Sequence, residues 1–213
     1  MREILMLIPA VLIVITLHEL SHGFAAYLLG DDTAKNRGRL TLNPIAHIDI
    51  IGFLCMIVAG IGWAKPVPVS PYNFKMKNKK IGMAITALAG PAANLIIAFV
   101  FLLIRSLLIV YGYDYPILLG LASFLELTAI MSIGLMAFNL IPVPPLDGSK
   151  VLLPFLPHKV IEFFYKYERY ISIVFLALLL FDVLDGVIGA VTGWFLNGIM
   201  DVIIKIFIGA GII

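Results

Sequence analysis

The chain has 213 residues, 62% of them hydrophobic and 13% charged, with a formal net charge of +2. A soluble domain is nearer a quarter charged. With a mean hydropathy of +1.06, these figures exclude an ordinary soluble fold and predict one helical membrane domain in contact with the lipid bilayer. The small net charge gives no footing for nucleic acid, and the lone Cys55 excludes an internal disulfide.

The first predicted element runs from about Ile4 to Leu29, long enough for a tilted span. It lacks a small-residue cleavage pattern and is read as a retained helix, not a removable signal. It carries His18-Glu19-Leu20-Ser21-His22, an HExxH element. On a helix, His18 and His22 project from one face a turn apart, the spacing two imidazoles need to grip one Zn²⁺. Glu19 beside them is a candidate general base. Four His and five Glu in this length give only about 0.002 chance matches to the motif. Ionisable groups in so apolar a helix are costly, and that cost marks them as functional.

Asp31 to Asp49 is polar. Arg39 to Pro44 reads as a short strand entering a turn, and His47 with Asp49 reads as a pair bonding loop backbone. Ile50 to Gly62, only 13 residues, falls short of the roughly 20 a span needs and is expected to be re-entrant. Trp63 to Pro71 is punctuated by prolines and extended. It serves as a connector or as an edge for a substrate strand. Lys75, Lys77, Lys79 and Lys80 form a basic anchor before the next span.

Ile81 to Val110 is the second long span and holds Gly90-Pro91-Ala92-Ala93-Asn94. Asn94 is either interhelical glue or a hydrogen-bond donor at a reaction centre. After a turn at Gly112 to Pro116, a third span runs from Pro116 to Ile141 with Glu126 in it. It ends at Asn139-Leu140-Ile141-Pro142-Val143-Pro144-Pro145-Leu146-Asp147-Gly148, where prolines break the helix. A catalytic Zn²⁺ typically takes three protein ligands and a water. Asp147, held extended by Pro144 and Pro145, is the best-placed third ligand. Val151 to Tyr170 reads as an amphipathic surface helix. Ile171 to Leu184 and Val187 to Ile213 supply one or two further spans, hinged at Asp182 and Asp185-Gly186.

If Ile50 to Gly62 crossed the bilayer, Asp147 would land on the face away from His22. A re-entrant path instead gathers the basic residues of 35–80 and 150–169 on one side, facing a 111–116 turn that carries only Asp114. The positive-inside rule makes that basic side cytoplasmic. The metal then lies toward the cytoplasmic side of a multi-pass protein of the cell membrane, with its N-terminus outside.

HELSH at 18–22, GPAAN at 90–94 and NLIPVPPLDG at 139–148 sit on three successive spans. In that order they resemble the site-2 protease family, the intramembrane zinc metalloproteases. LTLNP, AHID and GWAKPVPV between Arg37 and Pro71 are similar to its small prokaryotic branch without a PDZ domain. The resemblance covers about residues 4–155. It implies one Zn²⁺ per chain on His18, His22 and Asp147, with Glu19 as base and Asn94 and Asn139 near the substrate carbonyl. The implied reaction is hydrolysis of transmembrane-segment substrates in regulated intramembrane proteolysis. The expected organisation is a single domain, 1–213. It has a core at 4–155 that includes an extended and re-entrant region at 31–80, followed by C-terminal helices at 156–213. The rival reading, a zinc-binding transporter or an inactive adaptor, lacks the internal repeat of a transporter and leaves Glu19 without a purpose. Oligomeric state and gating have no signature in the sequence.

Overall fold

The computed structural model describes residues 2–59, 62–112 and 115–212. Its helices are α1 (Arg2–Leu28), α2 (Thr33–Asn36), α3 (Ile50–Ala59), α4 (Lys79–Gly112), α5 (Pro116–Asn139), α6 (Asp147–Leu152), α7 (His158–Leu180) and α8 (Asp185–Gly209). No strand occurs among the described residues. Helices α1, α4, α5 and α8 are long and apolar enough to cross a bilayer. The chain is an all-α polytopic membrane protein.

The C-terminal third departs from the expected boundaries. No break separates an amphipathic helix ending at Tyr170 from a span starting at Ile171, because α7 continues through both. Glu168 to Ser172 contains no Gly, Pro, Asn or Asp to stop a helix. The five charges between Lys159 and Arg169 leave α7 outside the span-forming set. The chain turns at Asp182, which takes a φ of 56°, and α8 supplies the C-terminal span.

The chain divides into two compact units. The first comprises Met1–Val14, Asn94–Phe138 and Phe175–Ile213. Its core packs Ala98 and Leu102 of α4 with Ala129, Ile133 and Met136 of α5 and Ile199, Ile203 and Phe207 of α8. Ala98 and Ala129 are fully buried, and small residues at such positions let helices approach closely. Arg105 of α4 and Glu126 of α5 form an ion pair at 3.1 Å in this unit. The sequence reading singled out Glu126 without its partner. Pairing lowers the cost of a charge inside an apolar span.

The second unit comprises Ile15–Ala93 and Asn139–Val174. Its α3 has ten residues, a rise of about 15 Å, half the apolar thickness of a bilayer. An antiparallel bridge joins Ile48 to Ala64, and the Lys65 N–H donates to the His47 carbonyl at 2.9 Å. The two ends of this run therefore lie side by side. Gly60 and Ile61 of that run lie outside the described residues, as do Tyr113 and Asp114 of the 111–116 turn.

The expected strand over Arg39 to Pro44 does not form. The Thr41 hydroxyl accepts from the Asn43 N–H and the Asn43 side chain accepts from the Ile45 N–H. Those local bonds curl the backbone into a 3-10 turn at Pro44–His47.

Asp31, which opens the polar stretch after α1, is fully buried. Its carboxylate accepts from the backbone N–H of Ser70 at 2.6 Å, from Asn73 Nδ2 at 2.7 Å, and from the N–H and hydroxyl of Thr33. It ties the end of α1 to the proline-punctuated segment. Burial opposes ionisation, but the Ser70, Thr33 and Asn73 donors outweigh it and hold the carboxyl below its ordinary value of 3.8. A lowered folded value gives a contribution that is complete above the ordinary value and is lost as pH falls through the folded one. Asp31→Asn places an amide against these donors and is expected to cost about 1–3 kcal/mol at neutral pH. It should also flatten the loss of stability in acid. Thermal melting of the detergent-solubilised variants across acidic pH checks both effects.

Candidate metal centre

Helix α1 presents His18 and His22 one turn apart, both buried. Their rings stand 88° to each other and their Nε2 atoms are 3.0 Å apart. Asp147 Oδ2 lies 3.2 Å from His18 Nε2 and 3.0 Å from His22 Nε2. Among the described residues this is the one group of three or more such side chains whose donor atoms converge within 4.8 Å. All three belong to the second unit.

The Nδ1 of His22 donates to the Thr86 carbonyl at 2.7 Å. That bond fixes the tautomer and leaves the Nε2 lone pair facing the carboxylate. An unprotonated nitrogen and a carboxylate oxygen in contact repel, and a cation between them relieves the repulsion. Ligands about 2.0–2.2 Å from a tetrahedral Zn²⁺ stand roughly 3.3–3.6 Å apart. The observed separations need to open only slightly, so Zn²⁺ fits this donor set. Asp147 thus turns one oxygen, Oδ2, to both imidazoles. Its second oxygen, Oδ1, lies 3.7 Å from Lys150 Nζ.

Asp147 reaches this point differently from the extended approach expected of Pro144 and Pro145. It is the first residue of the short helix α6.

Helix α4 closes the centre from the other side. A Cβ built on Gly90 would fall 2.7 Å from His18 Cε1 and closer still to His22 Nε2. Only a residue without a side chain fits there. Gly90→Ala is expected to displace both imidazoles and weaken zinc binding by about 10–100-fold, the scale on which disturbed ligand support acts. Zinc retained per chain after dialysis against a graded chelator measures it.

Glu19 is half-buried on α1. Its Oε2 accepts a hydrogen bond from the backbone N–H of Val67 at 2.9 Å, a contact with no signature in the sequence. Asn94, on α4, is fully buried. Its carbonyl accepts from Ser132, and its side-chain atoms have no partner among the described residues. Asn139 is the last residue of α5 and half-buried. The reading of His47 and Asp49 as a pair bonding loop backbone agrees with their bonds, His47 Nε2 meeting the Thr41 carbonyl at 2.9 Å and Asp49 accepting from the Gly52 N–H, but His47 is fully buried and not at the surface. Neither they nor Glu126 belongs to the cluster.

Against known proteins, residues 114–181 match the family model of Peptidase family M50. That stretch includes Asn139 and Asp147, while the HExxH element lies upstream of it. YwhC of Bacillus subtilis, named provisionally as a zinc metalloprotease, is 38% identical over 94% of this chain and 90% of its own length. Rip2 of Mycolicibacterium smegmatis, named in the same way, is 32% identical over 71% of this chain and 58% of its own. Rip2 of Mycobacterium tuberculosis is 28% identical over 89% of this chain and 72% of its own. No solved structure gives a significant match.

Proposed function

The chain belongs to peptidase family M50, the site-2 proteases, and is a zinc metalloprotease; from that premise we propose that it cuts transmembrane segments of other proteins inside the bilayer. The observation that carries the reading is the position of the donors. Both histidines lie in α1 within Met6–Leu28, a segment long and apolar enough to span, so the chemistry is built into a membrane helix.

In this reading His18, His22 and Asp147 hold the metal and Glu19 acts as general base, within a single metalloprotease domain over 1–213. Bound Zn²⁺ supplies a Lewis acid that polarises the scissile carbonyl and brings the pKa of water in its open position to about 7. Glu19 accepts the proton of the attacking water and passes it to the leaving amine. The His22–Thr86 bond holds one imidazole in its ligating tautomer. Asn94, whose buried amide has no partner among the described residues, and Asn139 are the proposed donors to the developing oxyanion. The basic residues of 35–80 and 150–169 support a site that faces the cytoplasm, where water enters, and the pathway served in this reading is regulated intramembrane proteolysis.

The test uses purified protein in lipid nanodiscs and a fluorogenic peptide with one apolar span of about 20 residues interrupted by Gly-Pro. Cleavage within the span, abolished by chelator and restored by zinc, supports the reading. Cleavage confined to the soluble flanks contradicts it.

A further inference from the structure

The segment Lys65-Pro66-Val67-Pro68 carries amide hydrogens at two of its four positions, because proline has none. Residues preceding proline are driven to extended backbone, and Lys65, Val67 and Ser70 all precede one. In an extended chain alternate residues direct their backbone groups to the same edge. The bonds of this segment follow that rule. Lys65 donates to the His47 carbonyl at 2.9 Å and accepts from Arg39 Nη2 at 2.7 Å. Val67 donates to Glu19; beyond it, and off that alternation, Ser70 donates to the buried Asp31. Pro66 and Pro68 fall on the opposite edge, which can offer carbonyls there but no N–H.

Val67 is buried and packs tightly on α1. A Cβ built on Gly23, four residues after Glu19, would stand 3.0 Å from Val67 Cγ1. Prolines on both sides, a bare glycine beneath and anchors at Lys65 and Ser70 leave the one N–H between Pro66 and Pro68 little freedom. It is spent on a single oxygen of Glu19. The other oxygen, Oε1, has no protein partner among the described residues.

We infer that the backbone N–H of Val67 is a positioning group for the reaction: it fixes the rotation of the Glu19 carboxylate so that Oε1 alone faces the attacking water. The inference rests on the assignment of Glu19 as general base. It also gives the Pro-Val-Pro segment a task beyond connecting two helices. The inner edge holds the base, and the outer edge has only carbonyls left for a substrate backbone at Pro66 and Pro68.

The experiment replaces Val67 by its α-hydroxy acid through nonsense suppression in the full chain. The change removes the N–H and keeps the side chain. With the fluorogenic span peptide, kcat is expected to fall about 10–100-fold, as for lost orientation of a group at a metal site. KM, zinc content and melting temperature should stay close to those of the amide-bearing chain made by the same route. An unchanged kcat overturns the inference, and so does a loss of zinc or a raised KM, which reveals a merely structural contact. A second readout does not depend on turnover. Amide hydrogen exchange at Val67 is expected to be slow in the wild-type chain and at least tenfold faster in Glu19→Ala. Equal exchange in the two overturns the inference. A wild-type chain that protects the Val67 amide but cuts no peptide counts instead against the protease reading.

Discussion

Asp147→Asn is expected to lower zinc affinity by more than the roughly 10–100-fold that a change behind the ligands costs. The carboxylate oxygen that meets both imidazoles at 3.0–3.2 Å becomes a neutral amide of the same shape. The charge that draws a dication into this buried pocket is then gone, while Lys150 stays 3.7 Å from the other oxygen position and now repels the metal. His47→Ala makes the matching control. His47 is fully buried and bonded to the Thr41 carbonyl, so its loss should cost about 1–3 kcal/mol of stability and leave zinc affinity unchanged. Competition titration of zinc against a chromophoric chelator, run beside thermal melting, separates the two outcomes. Normal affinity in Asp147→Asn with a collapse in His47→Ala would move the metal onto the 39–49 loop.

Glu19→Gln should do the opposite: keep its zinc and lose its chemistry. Glu19 lies outside the cluster of converging donors, so the amide removes no ligand. It cannot accept a proton, and a positioned acid–base group contributes typically about 10²–10⁴-fold. The amide oxygen can still accept from Val67, so the fold around the base should persist. Zinc per chain by mass spectrometry and turnover of the span peptide, measured on one preparation, decide the assignment. Loss of zinc, or turnover within a few-fold of wild type, would remove Glu19 from the role of base.

What could be read from the sequence was what local chemistry dictates. The i, i+4 spacing of His18 and His22 fixes their common face on any helix. The lengths of apolar runs fix which helices span, and a ten-residue α3 could not. Asp147 was legible because the prolines before it end α5 and the two histidines lacked a third ligand. The parts that escaped depend on residues far apart in the chain. Glu126 pairs with Arg105 twenty-one positions away. Asp31 gathers donors from Ser70 and Asn73, about forty residues on. Glu19 meets a backbone N–H forty-eight positions later. A backbone donor leaves no trace in residue identity, and only the flanking prolines hinted that Val67 was special. The predicted strand at 39–44 failed for a local reason: Thr41 and Asn43 satisfy backbone N–H groups from their own side chains, and a partner strand was not needed.

The account stands most directly on the ligand set, and zinc K-edge X-ray absorption of the purified wild-type chain reads it. The predicted spectrum shows two imidazole nitrogens and light oxygen donors, all at about 2.0–2.2 Å, with no sulfur shell. A sulfur scatterer at about 2.3 Å, which only Cys55 or a methionine could supply, or the signature of a single imidazole, would contradict a metal held by His18, His22 and Asp147.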